Sequence, residues 1–325
     1  MAARRRGKKK SGRSYAWRYR GRIVACVFVE VIIICALVIM IGWNKGVKEW
    51  FEQFEQPVLK EVDISGINSP NAILMQARGG KILGEINGEA QIYPASMTKI
   101  MTVILGIENF DDLDEKITLT NEMFSGLYEQ DATQAGFQPG EEVRVIDLLY
   151  GAMLPSGAEC CIALADTISG SEADFAELMN KKARKLGMEN THFCDSTGLH
   201  NPDHYSTVKD IAVLMKYCIK NDTFREIVET SRHSTGVTNI HPDGITYYST
   251  MFKNLSDPTV TGGKILGGKT GYTSEAGHCL VSFAEIEGRE YIFVSAGASG
   301  ADGNTIPHIQ DAVTVYNRVG AAVEA

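Results

Sequence analysis

The longest apolar stretch of the sequence lies near its beginning, over residues 23–43, and Glu30 is the one charged residue in it. At 1.5 Å per residue, its 21 residues form a helix of about 31 Å, which matches the hydrocarbon core of a membrane. The pattern therefore predicts a transmembrane helix. An uncleaved signal anchor is favoured over a signal peptide, because the stretch is long and no small-x-small cleavage site occurs near Gly42.

A different spacing of apolar residues follows. Val47, Trp50, Phe51 and Phe54 recur at the i, i+3, i+4, i+7 spacing of an amphipathic helix, which predicts a stalk that ends near residue 57. The expected organisation is a tail (1–22), a transmembrane anchor (23–43), a juxtamembrane stalk (44–60) and one larger domain (61–325).

Shorter patterned segments fill the larger domain. The turn residues Arg78, Gly79 and Gly80 predict a hairpin, and a helix is expected from Ser96 to about Asn109. The other expected elements are the hairpin strands Ala72–Met75 and Lys81–Ile86, a strand over Val143–Val145, helices over Asp147–Leu154, Glu159–Ser169 and Phe175–Leu186, strands over Gly277–Glu285 and Glu290–Ser295, and a helix over His308–Val319.

Charge is distributed unevenly along the 325 residues. Residues 1–22 contain ten Lys and Arg and no acid, which leaves 22 basic against 40 acidic residues, a formal charge of −18, in the remainder. A basic tail alone would suit a nucleic-acid-binding arm, but before an apolar span it predicts a cytoplasmic N-terminus and an extracytoplasmic domain. We therefore expect a cell-membrane protein with a single span and no nucleic-acid partner.

The cysteines do not form a disulfide pattern. Five of the seven follow the apolar span, at positions 160, 161, 194, 218 and 279. An odd number cannot pair completely, and unpatterned cysteines in a large domain are typical of buried free thiols.

The candidate nucleophile is Ser96, which follows a Tyr93-Pro94 turn and lies three residues before Lys99. Residues three apart share one face of a helix, so the Lys99 amine reaches the Ser96 hydroxyl. Serine becomes a strong nucleophile when a base takes its proton, and a lysine whose pKa is lowered by burial is such a base. The same four-residue pattern also arises by chance, so its meaning depends on the segments that follow.

Two later segments carry chemistry that suits such a nucleophile. Ser156 directly follows a helix stop at Pro155, on an expected exposed corner, where it would either relay a proton or cap the next helix. Lys269 and Thr270 lie in a glycine-rich segment, where they would either bind a substrate carboxylate or form a solvated turn.

These segments occur in the order of a known family. Ser96 precedes Ser156 by 60 residues and Lys269 by 173 residues. The chain resembles the serine-type D-alanyl-D-alanine carboxypeptidases, the low-molecular-mass penicillin-binding proteins, whose motifs are SxxK, SxN and KTG. The resemblance covers about residues 61–320 and rests on the words YPASMTK (93–99), LLYG (148–151), THF (191–193), TGLH (197–200), HYST (204–207) and KTGYT (269–273).

The resemblance implies an α/β (α+β) fold of the penicillin-binding-protein and β-lactamase type, in which helices flank an antiparallel sheet. It implies that Ser96 is acylated, that Lys99 is its base and that Ser156 relays protons. The implied substrate-binding residues are Lys269, Thr270, Gly271 and Tyr272. Of these, the first two would hold the substrate carboxylate, and the backbone N–H of Tyr272 would form the oxyanion hole with that of Ser96.

The implied reaction is removal of the terminal D-alanine from peptidoglycan stem peptides that end in D-Ala-D-Ala. It proceeds through an acyl-serine that water hydrolyses, and it needs no metal or other cofactor. The resemblance also implies inhibition by β-lactams, which would acylate the same serine.

Three features depart from the family pattern, one of them being that the transmembrane helix expected over 23–43 takes over the anchoring. Ala158 stands where the SxN motif has asparagine, which removes a side-chain amide from the site. The sequence also ends soon after the helix expected over 308–319, so neither a β-rich second domain nor a C-terminal amphipathic anchor is expected.

Three other functions remain open. A class A β-lactamase would need a deacylating glutamate, and Glu177, near Asn180, is the nearest candidate. A non-catalytic penicillin sensor is favoured by Ala158 alone. A zinc peptidase would use histidines that lack a HExxH-type spacing, namely His192, His200 and His204.

Overall fold

The structure, a computed structural model, describes residues 59, 61–300 and 306–324. Its strands are β1 (Asn71–Gln76), β2 (Ile82–Ile86), β3 (Lys116–Thr118), β4 (Glu142–Arg144), β5 (Arg232–Ser234), β6 (Thr246–Tyr248), β7 (Thr259–Val260), β8 (Gly263–Thr273), β9 (Gly277–Ile286) and β10 (Arg289–Ala298). Its α-helices are α1 (Lys99–Asn109), α2 (Val145–Met153), α3 (Ala158–Ser169), α4 (Glu172–Leu186), α5 (Val208–Cys218), α6 (Asp222–Glu229), α7 (Thr250–Asn254) and α8 (Pro307–Glu324).

Six strands form one antiparallel sheet in the order β2-β1-β10-β9-β8-β7. Strands β9 and β10 read as nearly continuous apolar runs because both of their faces are covered by helices. Strand β7 pairs only with Gly263 and Lys264, at the start of β8. Among the described residues no strand pairs with the outer edge of residues 267–273; residues 267–269 are buried there by other elements, whereas Tyr272 is exposed.

The sheet separates two apolar cores. On one face it packs against a group of helices with α1 at the centre, and every residue of that helix from Lys99 to Gly106 is buried. On the other face α8 covers the sheet with Ile309, Val315 and Tyr316. A helix buried on all sides can place a polar side chain at its first turn in a dry environment, which is where Lys99 lies.

Most of the elements expected from the sequence are present. The hairpin of β1 and β2, helices α1 to α4, the pair β9 and β10 and the C-terminal helix all occur within a few residues of the expected bounds. The exception is Val145, expected in a strand, which begins helix α2. The short strand ends at Arg144, and Asp147 in the first helical turn favours the helix there through the helix dipole.

The five cysteines of the described domain are all free, as expected, with four buried and Cys194 half-buried. The predicted tail, transmembrane helix and stalk lie outside the described residues, apart from Leu59, which is buried in the core of the described domain, and they stay predictions. In the part of the chain that the structure describes, no helix combines the length and the apolar character needed to cross a membrane.

Candidate active site

Ser96 lies in a short 3-10 turn, Ala95–Thr98, that leads into helix α1. Its Oγ accepts a hydrogen bond of 2.9 Å from Lys99 Nζ, which is the contact expected from the three-residue spacing. Ala95, directly before it, has a φ of +48°, which is unfavourable for a residue with a Cβ. Such backbone strain persists only where the surroundings fix it, and it is common next to nucleophiles.

Lys99 is buried, with 3% of its surface exposed. Its Nζ donates to Ser96 Oγ and, over 2.7 Å, to the carbonyl oxygen of Thr197. Burial lowers the pKa of Lys99, and the charges of Asp195 and Glu159 partly oppose that effect. An amine with a lowered pKa and a hydrogen bond to a serine hydroxyl is equipped to take the proton of that serine.

The loop 195–198 holds Lys99 in position. Sequence reasoning included Thr197 and Gly198 in a family word but assigned the loop no role. Asp195 Oδ1 accepts hydrogen bonds from the backbone N–H of Thr197 and of Gly198, each 2.7 Å long, as in an Asx turn. Although burial by itself raises the pKa of Asp195, contact with His204 over 3.0 Å brings the pKa down to about 2. The turn thus fixes the carbonyl oxygen of Thr197, which accepts a hydrogen bond from the Lys99 amine.

Two close contacts join this loop to the nucleophile. His204 Nε2 lies 2.9 Å from the hydroxyl of Thr98, inside the Ser96 turn. Gly198, with a φ of +81°, lies so near Ala95 that a Cβ added to it would be 1.9 Å from the Ala95 oxygen. Only glycine fits there. The signal that could have revealed the loop is the Asp-Ser-Thr-Gly word, which is typical of a tight turn.

Ser156 lies at the corner between α2 and α3, and its Oγ donates to Ser96 Oγ over 3.0 Å. The expectation of an exposed corner is wrong, because Ser156 is buried. Ser156 also has a φ of +73°. It does not cap helix α3, because the N-cap of that helix is Gly157. The hydroxyls of both serines therefore lie within one hydrogen-bonded group with Lys99.

A clamp that includes the first turn of α3 fixes the Ser156 corner. The N–H of Ala158 donates to the carbonyl oxygen of Thr133 over 2.8 Å. The buried carboxylate of Glu159 accepts from the N–H groups of Ala135 and Gly136 over 2.6 and 2.9 Å. Burial raises the pKa of Glu159, and its second oxygen has no hydrogen-bond partner among the described residues. Sequence reasoning missed this residue too.

The KTG segment forms the second half of strand β8. Lys269 is almost fully buried, and its Nζ donates to the carbonyl oxygen of Thr270 over 2.9 Å. Burial, assisted by the nearby Lys99 charge, places the pKa of Lys269 well below its usual value. The Thr270 hydroxyl lies 2.7 Å from that of Thr250 on α7.

Gly271 lets β8 approach the nucleophile closely. A Cβ added there would lie 2.9 Å from the Ser96 backbone nitrogen and 3.1 Å from Ala95 Cβ, so a larger residue would push strand and turn apart. The next residue, Tyr272, has 61% of its surface exposed. The structure thus places the backbone of β8 directly beside the Ser96 nitrogen.

These elements enclose a cleft of about 450 Å³. Its lining residues are Ser96, Asp131, Thr133, Pro155, Ser156, Thr250, Asn254, Thr270, Gly271, Tyr272, His278, Ile306 and His308. A second, smaller pocket of about 60 Å³ adjoins it and is lined in part by Ser96, Lys99 and Ala158. The buried Lys269 lines neither space.

The residues of the rival functions lie elsewhere or have other partners. Glu177 is on the exposed face of α4 and does not line the cleft. His192 forms a hydrogen bond with the carbonyl oxygen of Asp203, and His204 contacts Asp195. Among the described residues there is no cluster of three or more His, Cys, Asp or Glu side chains suited to a metal ion.

Comparison with known proteins agrees with this geometry. Residues 58–300 match the peptidase S11 family, described as D-alanyl-D-alanine carboxypeptidase. The chain belongs to this family of serine peptidases. The penicillin-binding-protein fold is thereby confirmed in its antiparallel sheet with flanking helices, and it agrees with the crystal structure of the Streptomyces K15 DD-transpeptidase. That structure is 29% identical, with a TM-score of 0.70, and the match covers 80% of this chain and 100% of the other.

Two curated relatives show the extent of the similarity. The D-alanyl-D-alanine carboxypeptidase DacF of Bacillus subtilis is 35% identical over 231 residues, which cover 70% of this chain and 57% of DacF. The D-alanyl-D-alanine carboxypeptidase of Streptomyces sp. strain K15 is 37% identical over 205 residues, which cover 61% of this chain and 69% of the relative. The matched part thus spans less than two thirds of the length of DacF.

Proposed function

We propose that this chain is a membrane-anchored serine carboxypeptidase that removes the terminal D-alanine from peptidoglycan stem peptides. The observation that supports this most is the position of Ser96 Oγ, 2.9 Å from Lys99 Nζ and 3.0 Å from Ser156 Oγ, beside the open edge of β8. Anchoring rests on the apolar span over 23–43, with the basic tail in the cytoplasm and the catalytic domain outside.

Acylation begins when a neutral Lys99 takes the proton of Ser96. The serine oxygen then attacks the carbonyl carbon of the D-Ala-D-Ala peptide bond, and the carbonyl oxygen becomes an oxyanion. The close approach of β8 at Gly271 favours an oxyanion hole made by the backbone N–H groups of Ser96 and Tyr272. Each such donor is typically worth roughly 10²–10³ in rate.

Breakdown of this intermediate needs a proton on the leaving nitrogen. Ser156 is hydrogen-bonded to Ser96 Oγ. Its hydroxyl therefore gives its proton to the nitrogen of the leaving D-alanine and recovers a proton from Lys99. The C–N bond breaks and the acyl group stays on Ser96 as an ester. Water then attacks that ester with Lys99 as base, which releases the shortened peptide. A β-lactam would acylate Ser96 by the same steps.

The test uses the full chain in detergent, incubated with a fluorescent penicillin and, separately, with a peptide that ends in D-Ala-D-Ala. We expect covalent label and free D-alanine from the wild type and neither from Ser96→Ala, because only an activated serine forms the acyl-enzyme. Ser234→Ala is the matched control, since Ser234 is exposed on β5, and it should retain both signals.

The other outcomes separate the rival functions. Label without release of D-alanine would support the penicillin sensor. Rapid hydrolysis of the penicillin would support a β-lactamase. Release of D-alanine that persists in Ser96→Ala would contradict the proposed nucleophile.

A further inference from the structure

The small pocket beside Ser96 continues outward into a groove between two loops. This pocket, of about 60 Å³, has Asp131 and Leu199 in its walls. An outer pocket of about 230 Å³ shares Thr197 and Leu199 with it. The residues that line the outer pocket are Ser125, Leu127, Gln130, Ile162, Glu172, Asp195, Thr197, Leu199, His200 and Asn201. The groove formed by the two pockets therefore leads away from the nucleophile between the segment 125–133 and the loop 195–201.

The proposed reaction determines which part of the substrate enters this groove. Thr270, which is expected to hold the substrate carboxylate, lines the large cleft but neither pocket of the groove. The leaving D-alanine therefore lies in the large cleft, and the acyl part of the substrate runs the other way, past Leu199. An extended peptide advances about 3.3 Å per residue, so a stem of four residues spans about 13 Å. The sugar that carries the stem peptide then lies at the outer end of the groove.

An exposed tyrosine borders that outer end. Tyr128 has 88% of its surface exposed, while its neighbours Leu127 and Gln130 line the outer pocket. The large apolar side chains that are exposed in the part of the chain the structure describes are Tyr128, Val237, Tyr248 and Tyr272. Two of these four rings and side chains, Tyr128 and Tyr272, border the groove. A single exposed apolar side chain needs no explanation, but two aromatic rings along one substrate path indicate a contact surface.

The turn that carries Tyr128 is fixed by its backbone. The N–H of Asp131 donates to the carbonyl oxygen of Tyr128 over 3.1 Å, and the N–H of Ala132 donates to that of Leu127 over 2.9 Å. Leu127 is buried, and Asp131 has a φ of +51°, a strained value that persists only where the surroundings hold it. A ring on a fixed turn loses little conformational freedom when a ligand stacks on it.

The charges along the groove favour an uncharged partner for this ring. The acidic and basic side chains that line the groove are Asp131, Glu172, Asp195, Lys99 and His200. Lys99 is neutral in the proposed mechanism, so carboxylates dominate. They would repel an anionic polymer or lipid headgroup but not a neutral sugar. The flat apolar face of tyrosine suits the C–H face of a pyranose ring, and its hydroxyl suits the sugar hydroxyl groups.

We propose that Tyr128 is a specificity-determining residue that stacks on a sugar ring of the glycan strand to which the stem peptide is attached. The inference rests on the proposed carboxypeptidase function and deepens it. A contact remote from Ser96 contributes binding energy that orients the peptide for acylation. The enzyme therefore acts faster on stem peptides carried by glycan than on free peptides.

The test compares kcat/KM for two substrates with the same stem peptide ending in D-Ala-D-Ala. The N-terminus of one carries a disaccharide of N-acetylated hexosamines through an acyl link, and that of the other carries an acetyl group, so both lack the terminal charge. We expect the wild type to prefer the sugar-bearing peptide about 3- to 10-fold, the range of one aromatic stacking contact. Tyr128→Ala should abolish this preference and leave kcat/KM for the acetyl peptide within about twofold. Tyr128→Phe, which keeps the ring, should retain most of the preference.

Tyr248→Ala is the matched control, because Tyr248 is also exposed but lies on β6 and lines neither the groove nor the cleft. It should change neither substrate. Equal kcat/KM for both substrates in the wild type, an equal loss on both in Tyr128→Ala, or loss of the preference in Tyr248→Ala would overturn the contact while leaving the proposed function intact. A wild type that releases D-alanine from neither substrate would instead contradict the proposed function.

Discussion

Lys99 and Lys269 are both buried in the site, and they contact different groups. Lys99 contacts the nucleophile, whereas Lys269 contacts the carbonyl oxygen of the strand residue that follows it. Burial lowers the pKa of both, and the charge of Lys99 lowers the pKa of Lys269 further. Two ammonium groups buried in one site disfavour each other, and the proposed mechanism needs Lys99 in its neutral form.

Ala158 is the residue that departs most clearly from the family pattern. It is buried beside the pocket of about 60 Å³ that also touches Ser96 and Lys99. Ala158→Asn should therefore fit, and we expect it to raise, or at least not lower, the rate of D-alanine release. Restoring one hydrogen bond in a desolvated site is worth about 1–3 kcal/mol, or roughly 5- to 150-fold in rate. Steady-state release and penicillin acylation rates measure the effect.

Ala158→Val is the control for this change, since it fills the pocket without supplying an amide. It should not reproduce any gain in rate. A large drop in acylation by Ala158→Asn at unchanged thermal stability would show that the pocket is built around a small residue, with substrate orientation supplied from elsewhere.

Residue spacing predicted some of these contacts and could not predict others. The bond between Ser96 and Lys99 follows from helix periodicity, because the two residues share one turn. Asp195 and Glu159 lie far along the sequence from that turn and act through loop carbonyls and N–H groups. The turn at Asp195 is local and its Asp-Ser-Thr-Gly word indicates it, but the contact of the Thr197 carbonyl oxygen with Lys99 and those of Glu159 with the loop N–H groups exist only after the helices have packed.

At the scale of elements, the clamp between α3 and the loop 131–136 supports the corner that carries Ser156. We expect Glu159→Ala to lower the free energy of unfolding by about 1–3 kcal/mol, since it leaves two N–H groups without an acceptor. It should also lower kcat at every pH, because the Ser156 corner loses its support. Denaturant unfolding and steady-state kinetics measure the two effects.

Glu159→Gln removes the negative charge of this side chain but keeps an oxygen that can accept the hydrogen bonds from Ala135 and Gly136. The charge of Glu159 raises the pKa of Lys99, so its removal should lower that pKa further. The reaction needs neutral Lys99 and speeds up as pH rises through this pKa. The acidic limb of kcat/KM should therefore move to lower pH in Glu159→Gln and stay in place in Glu177→Gln, the exposed control. An unmoved limb would contradict the electrostatic coupling.

The elements predicted best are those with strong apolar patterns, such as α1 and the β9–β10 pair. Strand β8 was harder to predict because glycines interrupt it, and glycine is unfavourable inside strands. Its glycines serve close approaches instead: a Cβ on Gly267 would lie 2.4 Å from the carbonyl oxygen of Val228. The glycines that make β8 hard to predict from the sequence are the same residues that let it pack closely against its neighbours.

At the scale of the whole domain, its first and last described segments meet. The buried carboxylate of Asp311 on α8 accepts four hydrogen bonds from Asn68 and Ser69, just before β1. The Tyr316 hydroxyl, also on α8, accepts from the N–H of Phe293 in β10. These contacts fix the start of α8, and with it His308, against the cleft. An amphipathic pattern predicts such a helix but not that its first turn lines the cleft.

The orientation in the membrane is the prediction that concerns the whole chain. Ten basic residues precede the apolar span, and the remainder carries a formal charge of −18. Because basic segments stay in the cytoplasm, the catalytic domain should lie outside, where peptidoglycan is found. With a tag at each end of the chain, protease added to intact cells should remove the C-terminal tag and spare the N-terminal one until the membrane is opened. A variant with the ten basic residues replaced by Gln is the matched control and should insert in mixed orientations. Loss of the N-terminal tag first, in intact cells, would reverse the topology and place the serine on the side without its proposed substrate.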